Sequence, residues 1–201
     1  MECKNIFKNR RAINFFNRDK KLDKEILFEI LNLANLSPSS MNLQPWEVIV
    51  VESPEKKKIL RECAMNQPKV EEASVVLIIL ANLNGVENHL EKILEGKNEK
   101  QAEGTKKAIY NLYGDKDSLK RKIFAVKNTS FFAMSVMHVA QACGVESHPM
   151  DGFIEEKVKK EFAISDDYII PCLIALGYRD KSNKLRPRNW RREITDFVKF
   201  V

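Results

Sequence analysis

The sequence predicts a single α+β domain, and three observations carry that prediction. Three runs rich in β-branched and aliphatic residues, "EVIVVE", "SVVLIILAN" and "YIIPCLIALGY", read as strands. Around them lie segments whose apolar residues recur at helical spacing. No internal repeat and no linker-like stretch divides the 201 residues, a length that supports one sizeable core.

Taken in order, Asp23 is the expected N-cap of a helix running to about Leu36. Ile26, Leu27, Ile30, Leu31 and Ala34 form its buried face. The polar stretch "LSPSSMNLQPW" then leads into the first strand. Ser53-Pro54 opens a second helix, cap first and proline in the first turn, which reaches to near Ala64. "NQPKVEEA" reads as a loop or a broken helical turn, and the strand after it is apolar enough to be covered on both faces. Residues 85–117, dense in Lys, Glu and Asn, read as a variable, solvated helical excursion or lid. From Ser118 a long helix runs to about Cys143. Its middle, "SFFAMSVMHVAQA", is apolar nearly all round and therefore buried on most sides, and Gly144 stops it. "VESHPMDGF" is expected to be a tight loop and "IEEKVKKEF" a short amphipathic helix. Pro171 inside the third strand implies an edge, a bulge or an early break. Residues 180–201 alternate basic and apolar and read as a C-terminal arm laid over a surface.

Composition narrows the function classes. At 44% hydrophobic residues the chain folds rather than staying disordered. Lys+Arg outnumber Asp+Glu by 34 to 28, a net charge of +6, which suits an anionic ligand, a phosphate cofactor or nucleic acid without choosing among them. The longest apolar run, Val75 to Ala81, is too short to span a bilayer, and "MECKNIFKNRR" lacks the apolar segment of a secretory signal. Cys3, Cys63, Cys143 and Cys172 are scattered, and His89, His138 and His148 lie far apart, so no metal is expected. Reduced thiols in a cytoplasmic protein are the simplest reading. No GxG, GxSxG or HExxH is present, which removes the dinucleotide fingerprint, the Walker loop, the serine-hydrolase elbow and the zincin motif.

Four features remain that could carry chemistry, each with a bland alternative. Arg10 and Arg11 in "KNRRAINFF" can grip a phosphate bidentately, or form a solvated basic face. Ser39, Ser40, Asn42 and Gln44, on backbone stiffened by Pro38 and Pro45, offer the donors and acceptors a polar heterocycle needs, or simply satisfy a turn. Asn66, Gln67 and Lys69 put amides and an ammonium before a buried strand, where they could stabilise negative charge on a ring, or sit in a surface loop. Asp151-Gly152 in "HPMDGF" turns easily and can present backbone N–H groups to a ligand, or be an ordinary turn.

In this order and at these intervals, "RRAINFF", "SPSSMNLQPWEVIVV", "NQPKVEEASVVLII", "HPMDGF", "LIALGYRD" and "LRPRNWRREI" resemble the nitroreductase family of FMN-dependent oxidoreductases. "PSSxNxQPW" before a strand is the most specific of them. The resemblance implies a central, mainly antiparallel sheet flanked by helices in an intertwined homodimer, with FMN at the subunit interface. It places Arg10, Arg11, Arg186 and Arg188 at the FMN phosphate, together with Ala12 and Asn14. Pro38, Ser39, Ser40 and Asn42 would come from the partner subunit, with Gln44 anchoring that loop. Asn66 and Lys69 would contact the isoalloxazine edge, and Pro149, Met150, Asp151 and Gly152 the other flavin face. The long helix around Phe131 and Phe132 would form the dimer core, or pack within one subunit. NAD(P)H would visit as a transient co-substrate and an electron-poor small molecule, a nitroaromatic or quinone, would take the electrons, with no nucleic acid and no membrane as partner. The sequence departs from the family pattern at Ala12, where serine is usual, and Asn14, where a basic residue is usual. Within the family, flavin reduction or activated-alkene reduction are alternatives. In other classes, the basic tail "KLRPRNWRRE" leaves a nucleic-acid-binding module, and the flavin motifs leave a non-catalytic flavin-binding protein.

Overall fold

A strand apolar on both faces needs cover on both sides, and β2 (Val75–Asn82) has it: every one of its residues is buried. In the computed structural model, which describes residues 3–201, β2 lies inside a four-stranded sheet of order β1–β2–β4–β3 with β1 at Trp46–Val51, β3 at Glu146–Met150 and β4 at Tyr168–Gly177. Every pairing in it is antiparallel. Met1 and Glu2, the start of the stretch read for a signal, lie outside the described residues.

The helices are α1 (Cys3–Asn9), α2 (Lys24–Ala34), α3 (Pro54–Cys63), α4 (Lys69–Glu72), α5 (Gly85–Leu94), α6 (Glu99–Tyr113), α7 (Leu119–Ala142) and α8 (Glu155–Glu161). Alternation along β2 divides the core. Val76, Ile78 and Leu80 pack with Leu60 of α3, Val70 of α4 and Val158 of α8. Val75, Leu77 and Ile79 pack with Leu27 and Ile30 of α2 and Val136 and Met137 of α7. Trp46 stacks on Phe132 there, ring centroids 5.3 Å apart and planes 9° apart.

Local signals explain the boundaries. The Ser53 side chain accepts from the backbone N–H of Lys56, and the Ser118 side chain accepts from that of Arg121, capping α3 and α7. Gly144, at φ 74°, ends α7 in the left-handed conformation that only glycine adopts freely. Asp23 stands at the N-cap of α2 without a side-chain bond, and the helix stops at Ala34, two residues short of the expected Leu36.

Three expectations change. "VESHPMDGF" is not a tight loop: residues 146–150 form β3, antiparallel to β4. β3 is an edge strand, where a proline costs no ladder bond on the open side, so Pro149 is tolerated. Residues 85–117 are helical as expected but not merely solvated. Val86, Ile109 and Tyr113 join Leu43 and Phe124 in a third core cluster that fastens α5 and α6 to the domain. Of α7 only one side is buried. Ile123, Phe131 and Met134 are exposed along the other, while Phe132 is in the core. This is the one helix among the described residues long and apolar enough to cross a membrane by length and composition. Half of its apolar window is buried inside the fold. For Pro171, the bulge is the alternative realised. Ile79 pairs with Cys172 and Ala81 with Ile169, so Ile170 and Pro171 together oppose Leu80.

Candidate functional site

A cavity of about 350 Å3 opens where the segment after α1 meets the C-terminal arm. Arg10 to Phe15 line one wall, Arg179, Asp180, Asn183 to Asn189 and Arg191 most of the other, and His148 completes the lining. The backbone there is held on both sides. Ala12 bridges to Ser147 in parallel, and the Ile13 N–H donates to the Ser147 carbonyl at 3.1 Å. Arg11 Nη2 donates to the Arg186 carbonyl at 2.7 Å, and Arg188 Nη2 to the carbonyls of Lys8 and Arg10. The arm thus closes the cavity by guanidinium-to-backbone bonds rather than apolar packing.

The electrostatics are one-sided. Burial, then the neighbouring Arg188, Arg191 and Arg11, pull the Arg10 pKa below its ordinary value. A half-buried guanidinium crowded by three others is stabilised by an anion with several oxygen acceptors, and phosphate has that chemistry.

From the cavity lining a hydrogen-bonded chain leads to α4. His148 Nδ1 lies 2.8 Å from the Ile13 carbonyl and Nε2 3.1 Å from Lys69 Nζ. Burial, with Lys69 as the second cause, lowers the His148 pKa from 6.5 to about 4. Burial also lowers the pKa of Lys69. The next segment is tied in by Gln67, whose Nε2 donates to the Gly152 carbonyl at 2.9 Å.

The predicted site residues therefore fall into three groups. Arg10, Arg11, Ala12, Asn14, Arg186 and Arg188 share the cavity wall. Lys69 adjoins it through its bond to His148, and Asn66, Pro149, Met150, Asp151 and Gly152 lie on the two segments that the Gln67–Gly152 bond ties together. Pro38, Ser39, Ser40, Asn42 and Gln44 do not line it. Their loop is fastened elsewhere: Ser39 Oγ accepts from the Gln44 N–H at 2.9 Å, the Ser40 N–H donates to Asn128 Oδ1 at 2.9 Å, and the Ser40 and Tyr113 hydroxyls bond. Asn42 keeps its side chain without a partner among the described residues, while its carbonyl accepts from Gln44 Nε2. Sequence reasoning missed His148 as a site residue. Its signal was a lone histidine beside Pro149, judged only for metal spacing. It also missed Arg179, which sits at the end of "LIALGYRD", and Arg191, which sits in the arm beside the nominated Arg186 and Arg188.

The model of the Nitroreductase family matches residues 7–178. The chain belongs to the nitroreductase family. This nitroreductase-family chain is 34% identical over 179 residues to a Thermus thermophilus protein named NADH dehydrogenase, covering 89% of this chain and 87% of that one. The ydfN protein of Bacillus subtilis has a TM-score of 0.93 at 28% identity, with 100% of this chain and 99% of that chain covered. A protein from Exiguobacterium sibiricum, solved in complex with FMN, has a TM-score of 0.84 at 26% identity, covering 100% and 97%. The expected α+β nitroreductase fold, with its antiparallel central sheet, is borne out.

Proposed function

We propose that this nitroreductase-family chain is an FMN-dependent oxidoreductase that takes hydride from NAD(P)H and reduces an electron-poor acceptor, a nitroaromatic or quinone, in two half-reactions at one site. The observation that carries the reading is the arginine-lined cavity joined through His148 to Lys69. The donor set fits the cofactor: at one end guanidinium groups of Arg10, Arg11, Arg186 and Arg188 that form no ion pair among the described residues, at the other an ammonium for a ring edge. When bound, FMN supplies the redox chemistry, and the protein supplies position and electrostatics.

Arg10, Arg11, Arg186 and Arg188 hold the phosphate end, and Arg179 and Arg191 add to the positive field. Lys69 places one positive charge at the pyrimidine edge, where reduction puts negative charge, and so favours uptake of electrons. Pro149 to Gly152 present backbone to the opposite ring face, with Gln67 holding the Gly152 carbonyl. Ala12 and Asn14 occupy the phosphate wall without the usual hydroxyl and charge, and the arm's guanidinium groups compensate. Pro38 to Asn42 serve the cofactor of a second copy of this chain, since in their own subunit they lie away from the cavity. The exposed apolar side of α7 and the exposed Trp190, Phe197 and Phe200 of the arm supply surface for that dimer.

Purified protein incubated with FMN is expected to retain flavin absorbance at about 450 nm through gel filtration. The band should bleach with NADH or NADPH under anaerobic conditions and return on adding a quinone. Protein that stays colourless sinks the cofactor assignment, and retained flavin that no nicotinamide bleaches sinks the enzymatic one.

A further inference from the structure

Among the described residues, Lys69 is not held by an acid. Its one side-chain partner among the described residues is the His148 ring, Nζ to Nε2 at 3.1 Å. The proton positions along this chain follow from donor and acceptor chemistry. The Ile13 carbonyl accepts only, so His148 Nδ1, 2.8 Å away, carries the proton. An ammonium donates only, so Nε2 must offer its lone pair and the ring must be neutral. Ile13 itself is fixed by the Ser147 carbonyl and is buried, so the chain is anchored in the sheet rather than in solvent.

We infer that His148 is a positioning residue for Lys69, a neutral acceptor that aims the ammonium and keeps the charge at that edge of the cavity single. This role rests on the FMN reading above and specifies how its lysine is set. A carboxylate in place of the imidazole would cancel the lysine charge, and a second cation would drive the lysine away. A neutral imidazole with one lone pair does neither. It takes one N–H of Lys69 and leaves two for a ligand. The charged groups facing His148 are Lys69 from α4 and Arg10 from the segment after α1, and both favour the neutral ring. Arg179 and Asp180 line the same cavity from the arm.

Two measurements test the inference. In protein without flavin, the imidazole nitrogens of His148 observed by 15N NMR at pH 7 should report a protonated Nδ1 and a bare Nε2. A protonated Nε2, in either the neutral or the cationic ring, overturns the inference whatever the fate of the FMN reading. In flavin-loaded protein, H148L should weaken binding of reduced FMN relative to oxidised FMN by threefold to tenfold, the larger figure being a fall of about 30 mV for a two-electron couple. H148Q, which can restore a neutral acceptor, should recover most of that loss. In a K69M background H148L should change the ratio by less than twofold, because the effect runs through the lysine. An equal shift with and without Lys69, no shift at all, or failure of H148Q to recover the ratio overturns it. Absence of FMN binding by the wild-type protein would fail the cofactor reading instead, and is seen separately.

Discussion

Met41, Asn42 and Gln44 have φ of 56°, 56° and 44°, and Met65 and Asn66 have 52° and 55°. Apart from Ala163, these are the non-glycine residues with positive φ among the described ones, and they fall in the two segments nominated for the flavin. Such conformations cost roughly 1–3 kcal/mol each in side chains other than asparagine, and they persist where surroundings over-determine them. Asn42 lies between Met41 and Gln44, which bear that cost, so the loop that carries it is held rather than free, with its amide unengaged. Asn42→Ala is expected to lower FMN retention several-fold with sedimentation unchanged. Retention equal to wild type would make the loop an ordinary turn. His148 yields a pH prediction at the same scale. Its unfolded ring takes up a proton near pH 6.5, the folded ring only near 4. Between those values the unfolded chain holds the extra proton, so stability declines as pH falls through that window. The full shift would set a ceiling on the order of 3 kcal/mol by pH 4, and solvent screening of the partly exposed ring brings the loss below it. Chemical denaturation of wild type and H148Q at pH 7 and pH 4.5 measures it, and an identical pH response in both proteins would assign the decline to other groups.

Among the elements, α5 and α6 are held by one buried polar side chain besides their apolar cluster. Arg121 of α7 has no exposed side-chain surface and donates to the Leu83 and Gly114 carbonyls at 2.8 and 2.7 Å and to both oxygens of Glu87 at 2.8 and 3.2 Å. Removing the guanidinium strands the Leu83 and Gly114 carbonyls, at roughly 1–3 kcal/mol for each buried acceptor left unpaired, while the exposed Glu87 carboxylate turns to water. Arg121→Met should lower the melting temperature and accelerate hydrogen exchange across residues 85–117 before the rest of the domain. Uniform acceleration over the whole chain would show that these helices have no independent hold. Gly85, the first residue of α5, meets the loop directly: a Cβ there would lie 2.9 Å from Pro45 Cβ. Gly85→Ala should displace Pro45 and weaken FMN retention, although it lies outside the cavity. Retention equal to wild type would mean that the loop yields without consequence for the site.

For the whole molecule, the decisive fact is that one chain brings together two of the three groups of predicted site residues and leaves Pro38 to Gln44 apart. The site shared between two copies, as proposed above, would answer this. Diluting the flavin-loaded protein should then release FMN in step with dissociation of the dimer, followed by flavin fluorescence and sedimentation together. Flavin retained by monomers would place the whole site in one chain. β2 and the buried face of α2 were legible in the sequence because period-2 and period-3.6 patterns are local and the core enforces them. The caps at Ser53 and Ser118 and the stop at Gly144 were legible for the same reason, since each acts within one turn of chain. β3 was not legible, because whether Pro149 breaks a strand depends on its neighbour, and only the sheet order makes residues 146–150 an edge. The burial of Val86, Ile109 and Tyr113 escaped for a similar reason: three apolar residues spread over 28 positions carry no period until Leu43 and Phe124 meet them. By itself, then, the sequence determined the fold class, most elements and the residue types at the site. Tertiary structure alone decided that His148 stands between Ile13 and Lys69, and which way its protons point. The reason is physical: hydrogen-bond direction depends on which donors and acceptors meet across 135 and 79 residues of chain, and no local pattern records that.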